Sequence, residues 1–176
     1  MHFQRNGARL DMGDHLEIER KFLLKSFPPG WRRRPHSRIV QGYFPLASHK
    51  LEMRLRHKDD QRFITIKGGR GRIRLEEEFK IPKKRFDSLW PFTEGCISKT
   101  RYRIPCHGKM IEMDVYDGRH RGLVTVDIEF KSRREAAGFR VPDWFGREIT
   151  GNWRYANERL AKASNVKRLI ADARRH

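Results

Sequence analysis

From about residue 15 onward the chain alternates apolar and charged side chains with period two, segment after segment. That period belongs to strands and is incompatible with a helical stripe. Leu16, Ile18, Phe22 and Leu24 oppose Glu17, Glu19 and Lys21; Leu51, Met53 and Leu55 oppose Glu52, Arg54 and Arg56. Ile64 and Ile66 oppose Thr65 and Lys67; Ile73, Leu75, Phe79 and Ile81 oppose Arg72, Arg74, Glu76, Glu78 and Lys80. Thr100, Tyr102 and Ile104 oppose Lys99, Arg101 and Arg103; Ile111, Met113 and Val115 oppose Glu112 and Asp114. Val124, Val126, Ile128 and Phe130 oppose Asp127, Glu129 and Lys131. With 38–44, the segments number eight: 15–24, 38–44, 51–57, 62–68, 72–81, 98–105, 109–116 and 123–131. Gly, Pro, Ser and Asp punctuate them. Phe86, Leu89 and Trp90 predict a short helix stopped by Pro91. A short helix is expected at 143–150 and a longer one at 153–174, striped by Ala156, Leu160, Ala163 and Ile170. Residues 1–14 read as a loose tail before a single domain, 15–176.

A charged strand face ordinarily faces water. Solvated faces, however, mix in Thr, Ser, Gln and Asn, whereas here acidic and basic pairs sit one pleat apart and on separate strands. Glu17-x-Glu19-x-Lys21, Arg54-x-Arg56, Glu76-x-Glu78, Lys99-x-Arg101 and Asp127-x-Glu129 are such pairs. Eight strands can close into a barrel. With its apolar face outward under the helices, the barrel gathers these charges in one lumen. The fold expected is α+β, an eight-stranded antiparallel β-barrel with flanking helices. Such a lumen suits a phosphate chain, because Lys and Arg supply fixed cations. The carboxylates suit a divalent cation such as Mg²⁺, and phosphoanhydride cleavage needs positioning, charge neutralisation and an oriented water.

Lys and Arg number 40 and Asp and Glu 22, a formal net charge of +18. That excess invites a polyanionic partner but does not choose one. No apolar run exceeds three residues, which argues against a membrane span or a secretory core, so a cytoplasmic location is expected. Cys96 and Cys106 offer neither a disulfide framework nor a metal clip and read as small packers; the eight histidines form no zinc pattern. Arg32-Arg33-Arg34 and Lys83-Lys84-Arg85 read as solvated surface runs.

In order, His15-Leu16-Glu17-Ile18-Glu19-Arg20-Lys21, Met53-Arg54-Leu55-Arg56, Thr65-Ile66-Lys67-Gly68, Arg74-Leu75-Glu76-Glu77-Glu78, Ser98-Lys99-Thr100-Arg101, Glu112-Met113-Asp114 and Asp127-Ile128-Glu129 resemble the CYTH, or triphosphate tunnel metalloenzyme, family over about residues 15–163. The closing segment Ile149-Thr150-Gly151-Asn152-Trp153-Arg154-Tyr155 matches as well. The resemblance implies a tunnel that binds a triphosphate with Mg²⁺ or Mn²⁺. It implies phosphate contacts from Lys21, Arg54, Arg56, Lys67, Arg74, Lys99 and Arg101. It implies metal binding by Glu17, Glu19, Asp127 and Glu129, with Asp114 supporting the carboxylate cluster. Lys99, Glu76, Glu78 and Tyr43 are the implied catalytic set, the two glutamates binding or orienting a second metal and the water, and Tyr43 alternatively a core aromatic. Two positions depart from the family pattern: Asp127 stands where Glu is usual, with one methylene less reach, and Lys80, read as a rim residue, replaces a third acid. The substrate expected is inorganic tripolyphosphate. Thiamine triphosphate hydrolysis, a class IV adenylyl cyclase, and a non-catalytic polyphosphate- or RNA-binding module are the alternatives.

Overall fold

A computed structural model describes residues 18–46, 51–68 and 75–174. The tail, Glu17 and Arg74 lie outside the described residues. Among the described residues nine strands form one antiparallel sheet: β1 (Ile18–Leu24), β2 (His36–Tyr43), β3 (Leu51–Lys58), β4 (Gln61–Gly68), β5 (Leu75–Lys80), β6 (Cys96–Cys106), β7 (Lys109–Tyr116), β8 (Val124–Phe130) and β9 (Phe145–Glu148). Their order is β5-β4-β3-β2-β6-β7-β8-β1-β9. The helices are α1 (Lys83–Leu89), α2 (Arg133–Gly138), α3 (Asn157–Lys162) and α4 (Val166–Arg174). No helix among the described residues is long and apolar enough to cross a membrane.

The eight expected strands are present where described, but among the described residues the sheet does not close. β9 takes the edge of β1 that a closing β5 needs, pairing Phe22 with Glu148 and Leu24 with Phe145. The expected helix at 143–150 is therefore a strand. Gly146 explains its seat: a Cβ there would lie 3.1 Å from the Leu23 carbonyl oxygen. The sheet nevertheless curls. On a flat sheet, β4 and β1 lie six strand steps apart, about 29 Å at ~4.8 Å per step. Yet the Glu19 carboxyl on β1 feels the charge of Lys67 on β4.

Two apolar cores fix that curl. One lies on the convex face of β1, β6, β7 and β8, where Phe22, Ile104, Ile111, Met113, Val126 and Ile128 pack with Ala136 of α2 and Phe145 of β9. The other fills one end of the concave face. Leu23, Tyr43, Ile97 and Tyr116 there meet Tyr155, Leu160, Ala161, Val166 and Ile170 of the C-terminal segment. That segment is not the single helix expected over 153–174. Ala156 and Ala163 are extended, and the Asn152 and Asn165 side chains accept hydrogen bonds from the backbone N–H groups of Arg154 and Arg168. Such side-chain caps compete with a continuous helix. The break lets α3 and α4 plug the concavity. The plug is seated by His120, whose ring nitrogen bonds the Leu160 carbonyl at 2.8 Å, and by the close backbone approach at Gly95. Of the cysteines, Cys96 is exposed rather than packed, while Cys106 is partly buried against the convex core.

Candidate active site

Residues directly opposed in an antiparallel pair share a face, so the register carries one face across the sheet. Glu19 opposes Glu129 and Lys21 opposes Asp127. Asp127 opposes Glu112, and Asp114 opposes Arg101. Lys99 opposes Tyr116 on one side and Ile39 on the other. Tyr43 opposes Arg54 and Gln41 opposes Arg56. Arg54 opposes Thr65, Lys67 opposes Glu76, and Thr65 opposes Glu78. Every described residue of the expected site therefore lies on the concave face, with Tyr43 in the core of the plugged end.

The charges form two groups. On the β6–β7–β8–β1 side, Asp114 is fully buried and takes a two-point grip from Arg101, Nε to Oδ1 and Nη2 to Oδ2, both 2.7 Å. Its Oδ2 also accepts from the Lys99 ammonium, itself 1% exposed. Burial pushes the Asp114 carboxyl up, but Lys99 and Arg101 overcome this and hold it well below the ordinary range. Burial, aided by the charge of Arg101, brings the Lys99 ammonium down to about 8 against the pull of Asp114. Arg101 further pairs with Glu112 and stands 3.7 Å from Asp127. Lys21 lies 3.0 Å from Asp127 and 3.8 Å from Glu19. Burial raises the Glu19 carboxyl, and the like charge of Asp127 raises it further.

On the β3–β4–β5 side, Arg54 sits 3.5 Å from Glu52 and 3.3 Å from Glu76, and Lys67 also pairs with Glu76. Arg56 pairs with Glu78, which accepts a hydrogen bond from the Thr65 hydroxyl at 2.9 Å. The Nε–H groups of Arg54 and Arg56 are buried with no hydrogen-bond partner among the described residues. Between the groups Tyr43 is fully buried, and its hydroxyl accepts from Gln41 Nε2 at 2.7 Å. Burial raises its phenol.

Several assignments shift. Asp114, expected beside the metal carboxylates, has both oxygens engaged by cations. Glu76 and Glu78 stand on the basic residues of β3 and β4. Tyr43 belongs to the core flooring the site. Glu52 and Glu112 join the pairing although no site role was expected of either; alternation gave their face within each strand, but register alone decides which cation each reaches. The oxygen set of Glu19, Asp127 and Glu129 fits a hard divalent cation. Asp127 keeps both oxygens within reach of the Lys21 ammonium, Oδ1 at 3.0 Å and Oδ2 at 3.2 Å, and the Glu19 carboxyl is raised first by burial and then by the like charge of Asp127. As placed, no three His, Cys, Asp or Glu side chains among the described residues converge on one ion position.

The chain is 41% identical to an inorganic triphosphatase of Nitrosomonas europaea over 148 residues, 82% of this chain and 96% of that protein. The chain belongs to the CYTH, or triphosphate tunnel metalloenzyme, family. A second inorganic triphosphatase, from Acetivibrio thermocellus, is 36% identical over 83% of this chain and 93% of its own length. The crystal structure of the inorganic triphosphatase NE1496 superposes with a TM-score of 0.67 at 38% identity, covering 84% of this chain and 95% of that one. No family model matches the chain. Family members being named hydrolases, this CYTH chain is an enzyme of that kind, and its charged concave face is the one region of dense buried charge among the described residues.

Proposed function

We propose that this chain hydrolyses inorganic tripolyphosphate on the concave face of its sheet with the help of a divalent cation. The observation that carries the reading is the ordered file of buried and half-buried cations, Lys21, Arg101, Lys99, Arg56, Arg54 and Lys67, on one face with carboxylates between them. A linear triphosphate needs cations at several fixed points, and guanidinium forks match its oxygens. The unpartnered Nε–H groups of Arg54 and Arg56 are ready donors for phosphate oxygens. Arg74 is a further phosphate contact by family resemblance.

Glu19, Asp127 and Glu129, with Glu17, are the residues that would hold the cation, Mg²⁺ or Mn²⁺ by their oxygen chemistry. Bound there, it supplies neutralisation of phosphate charge. Asp114 is a positioning residue: it fixes Lys99 and Arg101 at the base of the site, where they meet the charge that develops on the phosphoryl group. Glu76 and Glu78, on the short β5, orient the attacking water. A water oxygen forms the new bond to a terminal phosphorus, the bridging P–O bond breaks, and phosphate and pyrophosphate leave. Tyr43 packs the floor and aligns Gln41.

The test is phosphate release from tripolyphosphate with Mg²⁺ or Mn²⁺. Lys99→Ala and Glu19→Ala should each lower kcat by about 10² or more, the scale of losing one preorganised transition-state contact. EDTA should abolish turnover of the wild-type chain. Cyclic AMP from ATP and Mn²⁺, with no phosphate released from tripolyphosphate, would reassign the reaction.

A further inference from the structure

The C-terminal segment that plugs one end of the concave face carries a second basic concavity, lined by residues of that segment alone. Trp153, Arg154, Arg159, Lys162, Ala163, Ser164, Asn165, Arg168 and Leu169 enclose about 410 Å³, within the range of small-molecule sites. None of these residues is on the concave face of the sheet. Leu160 and Ala161 of α3 turn the other way, into the core that floors the tunnel. The lining holds no carboxylate. Glu158 reaches Lys162 at 2.8 Å, and the guanidinium groups of Arg154, Arg159 and Arg168 have no acidic partner among the described residues. Trp153 is 62% exposed, its indole covered on one side by the Arg159 guanidinium at 5.1 Å.

Three guanidinium groups with no acidic partner among the described residues, gathered around one cavity, call for an anion, and phosphate is the anion their geometry suits. The exposed indole adds a requirement that bare phosphate does not meet, a flat ring to stack on. Leu169 and Ala163 supply an apolar wall. We propose that this cavity binds a nucleotide, its base stacked on Trp153 and its phosphate held among Arg154, Arg159 and Arg168.

AMP is the probe, because it brings no phosphoanhydride to the tunnel. Calorimetry and tryptophan fluorescence on the full chain at low salt should show saturable one-to-one binding. Trp153→Ala and Arg168→Glu should each weaken it by about ten-fold, the scale of one lost base stack or charged contact. Arg54→Ala should leave AMP affinity unchanged, and Trp153→Ala should leave tripolyphosphate hydrolysis unchanged, which also reports intact folding. Four outcomes would overturn the proposal. These are no saturable AMP binding, ribose 5-phosphate binding as tightly as AMP, AMP binding lost in Arg54→Ala but kept in Arg168→Glu, or binding of a short oligouridylate with none of AMP.

Discussion

A lysine as buried as Lys99 needs a fixed counter-charge, and Asp114 supplies it to both Lys99 and Arg101 at once. Removing one member of such a pair leaves buried charge without compensation, at about 3–5 kcal/mol. Asp114→Asn should therefore lower Tm by roughly 10 °C at neutral pH, at 2–4 °C per kcal/mol for a chain of this size. The sign with pH follows from its depressed folded value. The contribution of Asp114 is fully present above the unfolded value of 3.8 and fades as pH falls from there toward the folded value. Thermal melts from pH 7 down to pH 3 should show the gap between wild type and variant narrowing only below about pH 4; a gap constant over that range would remove Asp114 from this role. At this scale the sequence was legible in part. Period two places Lys99 and Arg101 on one face of their strand; that Asp114 and Asp127 share that face follows from the register, with Asp114 opposite Arg101 and Asp127 opposite Glu112. Period two does not tell that Asp114 serves two cations, which depends on Arg101 standing opposite it.

The eight segments read as strands, seven from their alternation together with 38–44, are strands where they are described. Phe145–Glu148 is too short to show a period, and what makes it a strand is the free edge of β1. The helical stripe of Leu160 and Ile170 was legible, but the extended Ala156 and Ala163 and the Asn165 cap that break the segment act locally and are invisible to a periodicity. The resulting plug depends on Gly95. Its φ is +72°, and a Cβ there would stand 2.2 Å from the Ala161 carbonyl oxygen, backbone that has little room to yield. Gly95→Ala should cost about 1–3 kcal/mol for the strained conformation alone, and it should raise hydrogen exchange of α3 more than that of β6. Equal loosening of both would mean that the plug and sheet are one cooperative unit.

For the whole molecule, the net charge of +18 and the function separate. The concave face pairs its cations with carboxylates almost one for one, so the excess lies in loops, helices and the outer surface, the basic cavity of the C-terminal segment included. Closure of the barrel was not legible, because it turns on which strand takes the last edge, and β9 takes it. The reading that ordered pairing, rather than bulk charge, makes the site is open to one direct comparison. Tripolyphosphate hydrolysis with Mg²⁺ is measured for Arg54→Ala and for a triple variant replacing the exposed Arg32, Arg33 and Arg34 by Ala. Arg54→Ala should lose about 10² in kcat/KM, while the triple variant, three charges poorer, should stay within about two-fold of wild type. Equal losses in the two, or a loss confined to the triple variant, would contradict the account.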